Sequence, residues 1–175
     1  MSVRHLTATV AATLLLATAP ATPALAEGTA PDQSRDAAFL RAAHQGNLAE
    51  IAAGRDAQRH AASACVKKVG RTLVRDHRRL DRQGGRVARQ LGVSLPSTPS
   101  PEQRQALARV RAQAGGPAYD RAWAQAQARA HRHTLRLIDR ELASGDDPRV
   151  KAVAKAARPV VARHLDMVRD GVCRA

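Results

Sequence analysis

The sequence predicts an all-α protein, a four-helix bundle with a long crossover, itself holding a short helix, between the second and third long helices. Three observations carry that reading. Four long segments place apolar residues at steps of three or four, the spacing that keeps side chains on one helical face. Their stripes run Phe39, Ala43, Gly46, Glu50, Gly54, Ala57, Ala61; then Val66, Val69, Leu73, His77, Leu80, Gly84, Val87, Leu91. The third runs Ala124, Ala128, His131, Leu135, Ile138, Leu142, and the fourth Val150, Val153, Ala157, Val160, His164, Val168. Strand signals are missing: no sustained period-two alternation occurs, and no Asn-Gly or Asp-Gly hairpin lies between β-branched runs. Each stripe is also interrupted once by a carboxylate or an imidazole, a group that is costly to bury without a partner.

The chain opens with a positive Arg4-His5, an uncharged Leu6–Ala19 stretch and the small residues of Ala24-Leu25-Ala26. That pattern predicts a signal peptide over residues 1–26 with cleavage after Ala26, hence an exported protein. The stretch is short for a membrane span, and no other segment approaches the length needed. Residues 27–35 read as a disordered polar leader, 36–171 as the helical domain and 172–175 as a C-terminal tail.

The first helix begins near Ser34 or Asp36, either a suitable N-cap, and runs to about His60. Ser63 caps the second, which runs to about Leu91 with Gly92 as its stop. Gly84-Gly85 inside it costs about 2 kcal/mol relative to alanines, which predicts close packing or a bend there. The stretch Ser94-Leu95-Pro96-Ser97-Thr98-Pro99-Ser100-Pro101 excludes helix; Ser100 then caps a short one, with Pro101 in its first position, that ends by Gly115-Gly116. Pro117 opens the third long helix, which ends at about Ala143. Asp147 caps the fourth, Pro148 starts it, and it ends near Asp170.

Heights matter as much as faces. Glu50 and His77 lie at similar distances before and after the turn near Ser63, and antiparallel helices rise equally per residue, so the two meet at one level. His131 and His164 are placed in the same way about Gly145. Glu50, His77, His131 and His164 therefore converge on the middle of the bundle. One Glu and three His suit a transition-metal ion such as zinc, copper, iron or manganese, or a small ligand. Asp76 and Asp120 are candidates for orienting these groups from behind. The alternative is a buried network in which Glu50 accepts hydrogen bonds from the histidines with no ion present. No helix carries a Glu-x-x-His pair, which argues against a di-iron centre. His44, His60 and His133 fall off the stripes and are expected to be exposed.

The formal charge of +14 drops by one on removal of the signal peptide, which holds Arg4 and no acid. Arginines are spread around every helix, and Phe39, Tyr119 and Trp123 are the only aromatics. Export and the lack of stacking residues argue against nucleic acid. A second function class fits the charge: a non-catalytic envelope protein adhering to anionic polymers or a membrane surface through its basic exterior. No Gly-x-Ser-x-Gly motif is present and neither cysteine sits on a stripe beside a histidine, so no catalytic residue is assigned.

Cys65 and Cys173 are an even pair in an exported chain, which favours a disulfide. Cys65 opens the second long helix and Cys173 follows the fourth. If residues 92–116 were a local loop, the two would lie a helix length apart, about 38 Å, beyond any disulfide. If they cross the bundle, the fourth helix finishes beside Cys65. Two unpaired thiols remain the alternative.

The order Phe39-Leu40, Gly46-Asn47-Leu48-Ala49-Glu50, Asp76-His77, Tyr119-Asp120-Arg121, His131, Glu141-x-x-x-Gly145-x-Asp147 and His164-Leu165 resembles the ferritin-like domain-of-unknown-function family 4142. The resemblance spans about Asp36 to Asp170. It implies an exported bacterial protein with a ferritin-like helical bundle and transfers no mechanism. Some relatives are labelled predicted outer-membrane proteins, but a helical chain rich in Ala and Arg cannot form an outer-membrane barrel.

Overall fold

The computed structural model describes residues 34–169 and Cys173. Among the described residues are five helices and no strand: α1 (Arg35–His60), α2 (Ala64–Gln90), α3 (Pro101–Arg111), α4 (Pro117–Ser144) and α5 (Pro148–Val168). The expected signal peptide, and most of the leader and tail, lie outside these residues. Of the two expected N-caps Ser34 is the one used: its Oγ accepts from the Ala37 N–H at 3.1 Å, and helix begins at Arg35. Ser63 caps α2, Ser100 closes a capping box with Gln103 over α3, and Asp147 caps α5. These side chains satisfy N–H groups that have no partner within the helix. At the end of α2, Gly92 takes φ +68°, and Val93 N–H returns to Ala88 O at 2.8 Å, the glycine stop the sequence predicts.

The helix α1 packs along α2, and α4 along α5; α2 also meets α5 and α1 meets α4, while α3 rests on α1 and α4. At the α1–α2 contact the backbones come close. A Cβ on Gly54 would stand 2.5 Å from Gly70 O, and one on Gly70 2.8 Å from Gly54 O. At Gly84-Gly85 the close packing expected as one alternative is not found: α2 continues through both, and a Cβ on Gly84 would come no nearer than 4.0 Å to Val153. The glycines that permit close approach are those facing the neighbouring helix, Gly54 and Gly70.

The core divides in two. One cluster joins Phe39, Leu40, Leu80, Ile138, Val150 and Val161; the other joins Leu73, Val66, Val110, Tyr119, Trp123 and Val168. On each of α1, α2, α4 and α5 the Glu or His of the stripe lies in sequence between the two clusters, so a polar layer separates two apolar ones. Buried acids tie helix ends together. Asp56, wholly buried, accepts from Tyr119 Oη (2.8 Å) and from Arg111 (2.8 and 2.7 Å), which fixes the end of α3 and the start of α4 against α1. Asp36 accepts the N–H groups of Asp146 and Asp147, both at 3.1 Å. Arg35 donates to Ser144 O across the same end.

Of the three histidines expected to be exposed, His133 is. His44 is not: its Nδ1 lies 2.6 Å from Asp81 Oδ1 and its Nε2 2.8 Å from Pro96 O, which ties the α2–α3 connection to α1. His60 is half-buried, 3.7 Å from Asp56. Both lie off the apolar stripe but on the helix flank, where a neighbouring element covers them. No helix among the described residues is long and apolar enough to cross a membrane.

Candidate metal centre

His77 on α2, His131 on α4 and His164 on α5 meet in the polar layer, each no more than 3 % exposed. Their ring centroids are 5.1, 5.5 and 5.7 Å apart, and one nitrogen from each ring can be chosen so that all three lie within 4.8 Å of one another. Local sequence puts them there. Each is one helical step from buried apolar neighbours on its own stripe: Leu73 and Leu80 for His77, Ala128 for His131, Val160, Val161 and Val168 for His164.

The partners of the rings assign their protons. His77 Nδ1 lies 2.9 Å from Asn47 Oδ1, His164 Nε2 lies 3.1 Å from Asp76 Oδ2, and His131 Nδ1 lies 2.8 Å from the Gln127 carbonyl. Those oxygens only accept, so each of these nitrogens carries the proton and donates. A neutral imidazole then keeps a bare lone pair on its other nitrogen. The three bare atoms are His77 Nε2, His164 Nδ1 and His131 Nε2. The first two face each other at 3.3 Å, and the third is buried without any hydrogen-bond partner.

Electrostatics disfavour protonation of His77 and His164. Burial holds His77 well below its ordinary pKa, and the neighbouring His131 and His164 push the same way. Burial also brings His164 down to about 4, although Asp76 opposes it. Asp76 itself is held at about 2, chiefly by its hydrogen bonds from Arg75 (2.8 and 3.1 Å). The carboxylate behind His164 is thus ionised while the ring is not.

Glu50 on α1 lies at the same level but behind His131. Its Oε1 is 3.9 Å from His131 Nδ1, the nitrogen whose proton goes to Gln127 O, rather than near the bare Nε2. With the Gln127 amide nitrogen turned toward Glu50 it donates to Oε1 at 3.1 Å and to Oε2. Burial raises the Glu50 pKa. Asp120 does not approach the histidines: its carboxylate accepts from Ala62 N–H (3.0 Å) and Ser63 N–H (2.7 Å), closing the α1–α2 turn. It sits at the first turn of α4, so its level is that of the turn. Asn47 and Gln127 are the residues that sequence reasoning missed. Spacing held the signal, since Asn47 is three residues before Glu50 and Gln127 four before His131, each on the same helix face as its neighbour.

Beneath α3 a half-open cavity of about 80 Å³ leads toward this layer. Ala49, Ala53, Ala106, Leu107 and Trp123 form its walls, with Glu50 and Gln127 among the polar residues lining it. Trp123 is held there by donating from Nε1 to Ala53 O at 3.0 Å.

The family model described as Domain of unknown function (DUF4142) matches residues 19–170, and the chain belongs to that family. No curated protein and no solved structure matches it.

Proposed function

We propose that the protein is an exported, ferritin-like four-helix bundle that binds one transition-metal ion through His77, His131 and His164. The observation that carries this reading is the convergence of three buried imidazoles, one nitrogen of each within 4.8 Å of the others, with the bare His77 Nε2 and His164 Nδ1 facing each other. Two bare nitrogens at 3.3 Å repel each other unless a cation stands between them. Tetrahedral zinc with Zn–N bonds of about 2.0–2.1 Å holds its nitrogens about 3.3 Å apart. Imidazole also suits copper, iron and nickel. Asn47, Asp76 and the Gln127 carbonyl take the outward N–H groups, the arrangement that fixes tautomer and ring orientation in histidine metal sites. Three ligands leave a fourth position for water or a small ligand.

The bundle topology rests on Cys65 and Cys173. Their disulfide, with Cα atoms 5.5 Å apart, supports a topology in which the end of α5 lies beside the start of α2. Since α1–α2 and α4–α5 are joined by short turns, α2 and α4 then run parallel, and residues 91–116 cross the length of the bundle with α3 inside them. A disulfide also favours an oxidising, exported setting.

Metal analysis of the purified protein after loading with Zn²⁺ or Co²⁺ tests the site. One ion per chain is expected, lost in the His77→Ala, His131→Ala double variant. Equal metal in both proteins, or none under any loading condition, leaves only the hydrogen-bonded network.

A second reading has its own observation. Arg71, Arg78, Arg79, Arg82, Arg86 and Arg89 are all exposed along α2, while Asp76 and Asp81 on that helix are engaged by Arg75, His164 and His44. Such a row suits anionic envelope polymers. It predicts retention on an anionic polymer that falls with salt and survives mutation of the histidines; salt-independent retention rules it out.

A further inference from the structure

We propose that the cavity beneath α3 is the route by which a divalent cation reaches the three histidines, and that Glu50 is the carboxylate on which it is first caught. This inference rests on the metal-binding reading above. The histidines are 0–3 % exposed, so an ion cannot meet them directly from solvent. The cavity supplies an approach. Its walls are apolar side chains of α1, α3 and α4, and Glu50 is the one carboxylate among the residues that line it. Glu50 Oε1 then stands 3.9 Å from the near edge of His131, so a single imidazole ring separates the end of the cavity from the bare Nε2.

The residues around Glu50 fit a transit role better than a ligand role. Its two oxygens are both offered to the Gln127 amide, a neutral partner that a cation can displace. The Gln127 carbonyl holds His131 Nδ1, so a cation on Glu50 sits beside the residue that sets the orientation of that ring. Elsewhere the surface is hostile to cations: the chain carries a formal charge of +14, and Arg104 and Arg109 on α3 are exposed. A carboxylate in a low-dielectric cleft focuses the field for the ion where the rest of the surface repels it. The roof buries little of itself: Val110 is the one buried residue of α3, which is held at its C-terminal end by Arg111 on Asp56. Small movements of α3 would widen the path without disturbing α2 or α5, which carry two of the three histidines.

The test is the rate of metal uptake by the apo-protein, read by stopped-flow with Co²⁺ and a Zn²⁺ competition. Glu50→Gln removes the carboxylate and keeps the shape, and Ala106→Trp fills the cavity from α3 far from the histidines. Both are expected to slow uptake roughly tenfold or more, the scale of electrostatic focusing on association rates, while reaching the same one ion per chain at equilibrium. Release to a chelator should slow in Ala106→Trp as well, because the path is the same in both directions. If both variants fill as fast as the parent protein, the route is wrong although the site stands. If the parent protein takes up no metal, the site and the route fall together. Ala106→Trp lies outside the polar layer, so it remains a test should Glu50→Gln fail to fold.

Discussion

His77 Nε2 and His164 Nδ1 face each other at 3.3 Å, each with its proton committed to the opposite side of its own ring. Asn47 and Asp76 impose this, one from α1 and one from the same helix as His77. On the metal-binding reading proposed above, a cation between them would be held by both, and replacing either outer partner should weaken its binding.

Asp76→Asn keeps the shape and removes the charge behind His164. Loss of such a partner typically costs 10–100-fold in metal affinity, so the variant should bind one ion with a dissociation constant raised by about that factor. A chelator-competition titration reads it. Unchanged affinity would separate Asp76 from the site.

Removing the Cys65–Cys173 disulfide by a Cys65→Ser, Cys173→Ser double change should cost about 2–4 kcal/mol, because the bridge closes a long loop of the unfolded chain. For a domain of this size each kcal/mol lowers Tm by roughly 2–4 °C, so a fall of about 5–15 °C is expected by differential scanning calorimetry.

Glu141 gives a pH dependence of definite sign. Burial, and then the neighbouring Asp36 carboxylate, raise its pKa from 4.5 to about 7. The folded protein therefore binds this proton more tightly than the unfolded chain does. Its contribution to stability is complete below about pH 4.5 and is lost as pH rises toward 7. Histidines held below their ordinary values act oppositely, so the informative quantity is the difference between the parent protein and Glu141→Gln. That difference should change between pH 4.5 and 7 and be flat above pH 8. Chemical denaturation across this range checks it, and a difference independent of pH would contradict the assignment.

Two glycines on one helix should respond in opposite directions. Gly70→Ala drives a Cβ into the backbone of α1 near Gly54 O, and overpacking of this kind costs about 1–3 kcal/mol. Gly85→Ala meets nothing closer than the end of Arg89, at 3.8 Å, and should stabilise α2 by about 1 kcal/mol. Paired urea melts decide both.

Sequence periodicity alone determined the helical class, the four stripes, the cap at Ser63, the stop at Gly92 and the convergence of His77, His131 and His164 at one level. Each of these follows from local rules: a helix has a fixed rise and turn, so spacing along the chain converts directly into face and height. Tertiary structure decided what spacing cannot express. Glu50 and His131 share a level, yet Glu50 meets the protonated edge of that ring, because which edge is presented depends on the Gln127 carbonyl. Asp120 reads as a site residue three turns below His131 and instead closes the α1–α2 turn, since its partners come from a segment distant in sequence. Asp56 and His44 fall off the apolar stripe of α1 and are covered by residues of α3, α4 and the α2–α3 connection. The physical reason is common to Asp120, Asp56 and His44. A helix sets where a side chain points, but the neighbour it meets, and hence its proton and its burial, is supplied by another part of the chain.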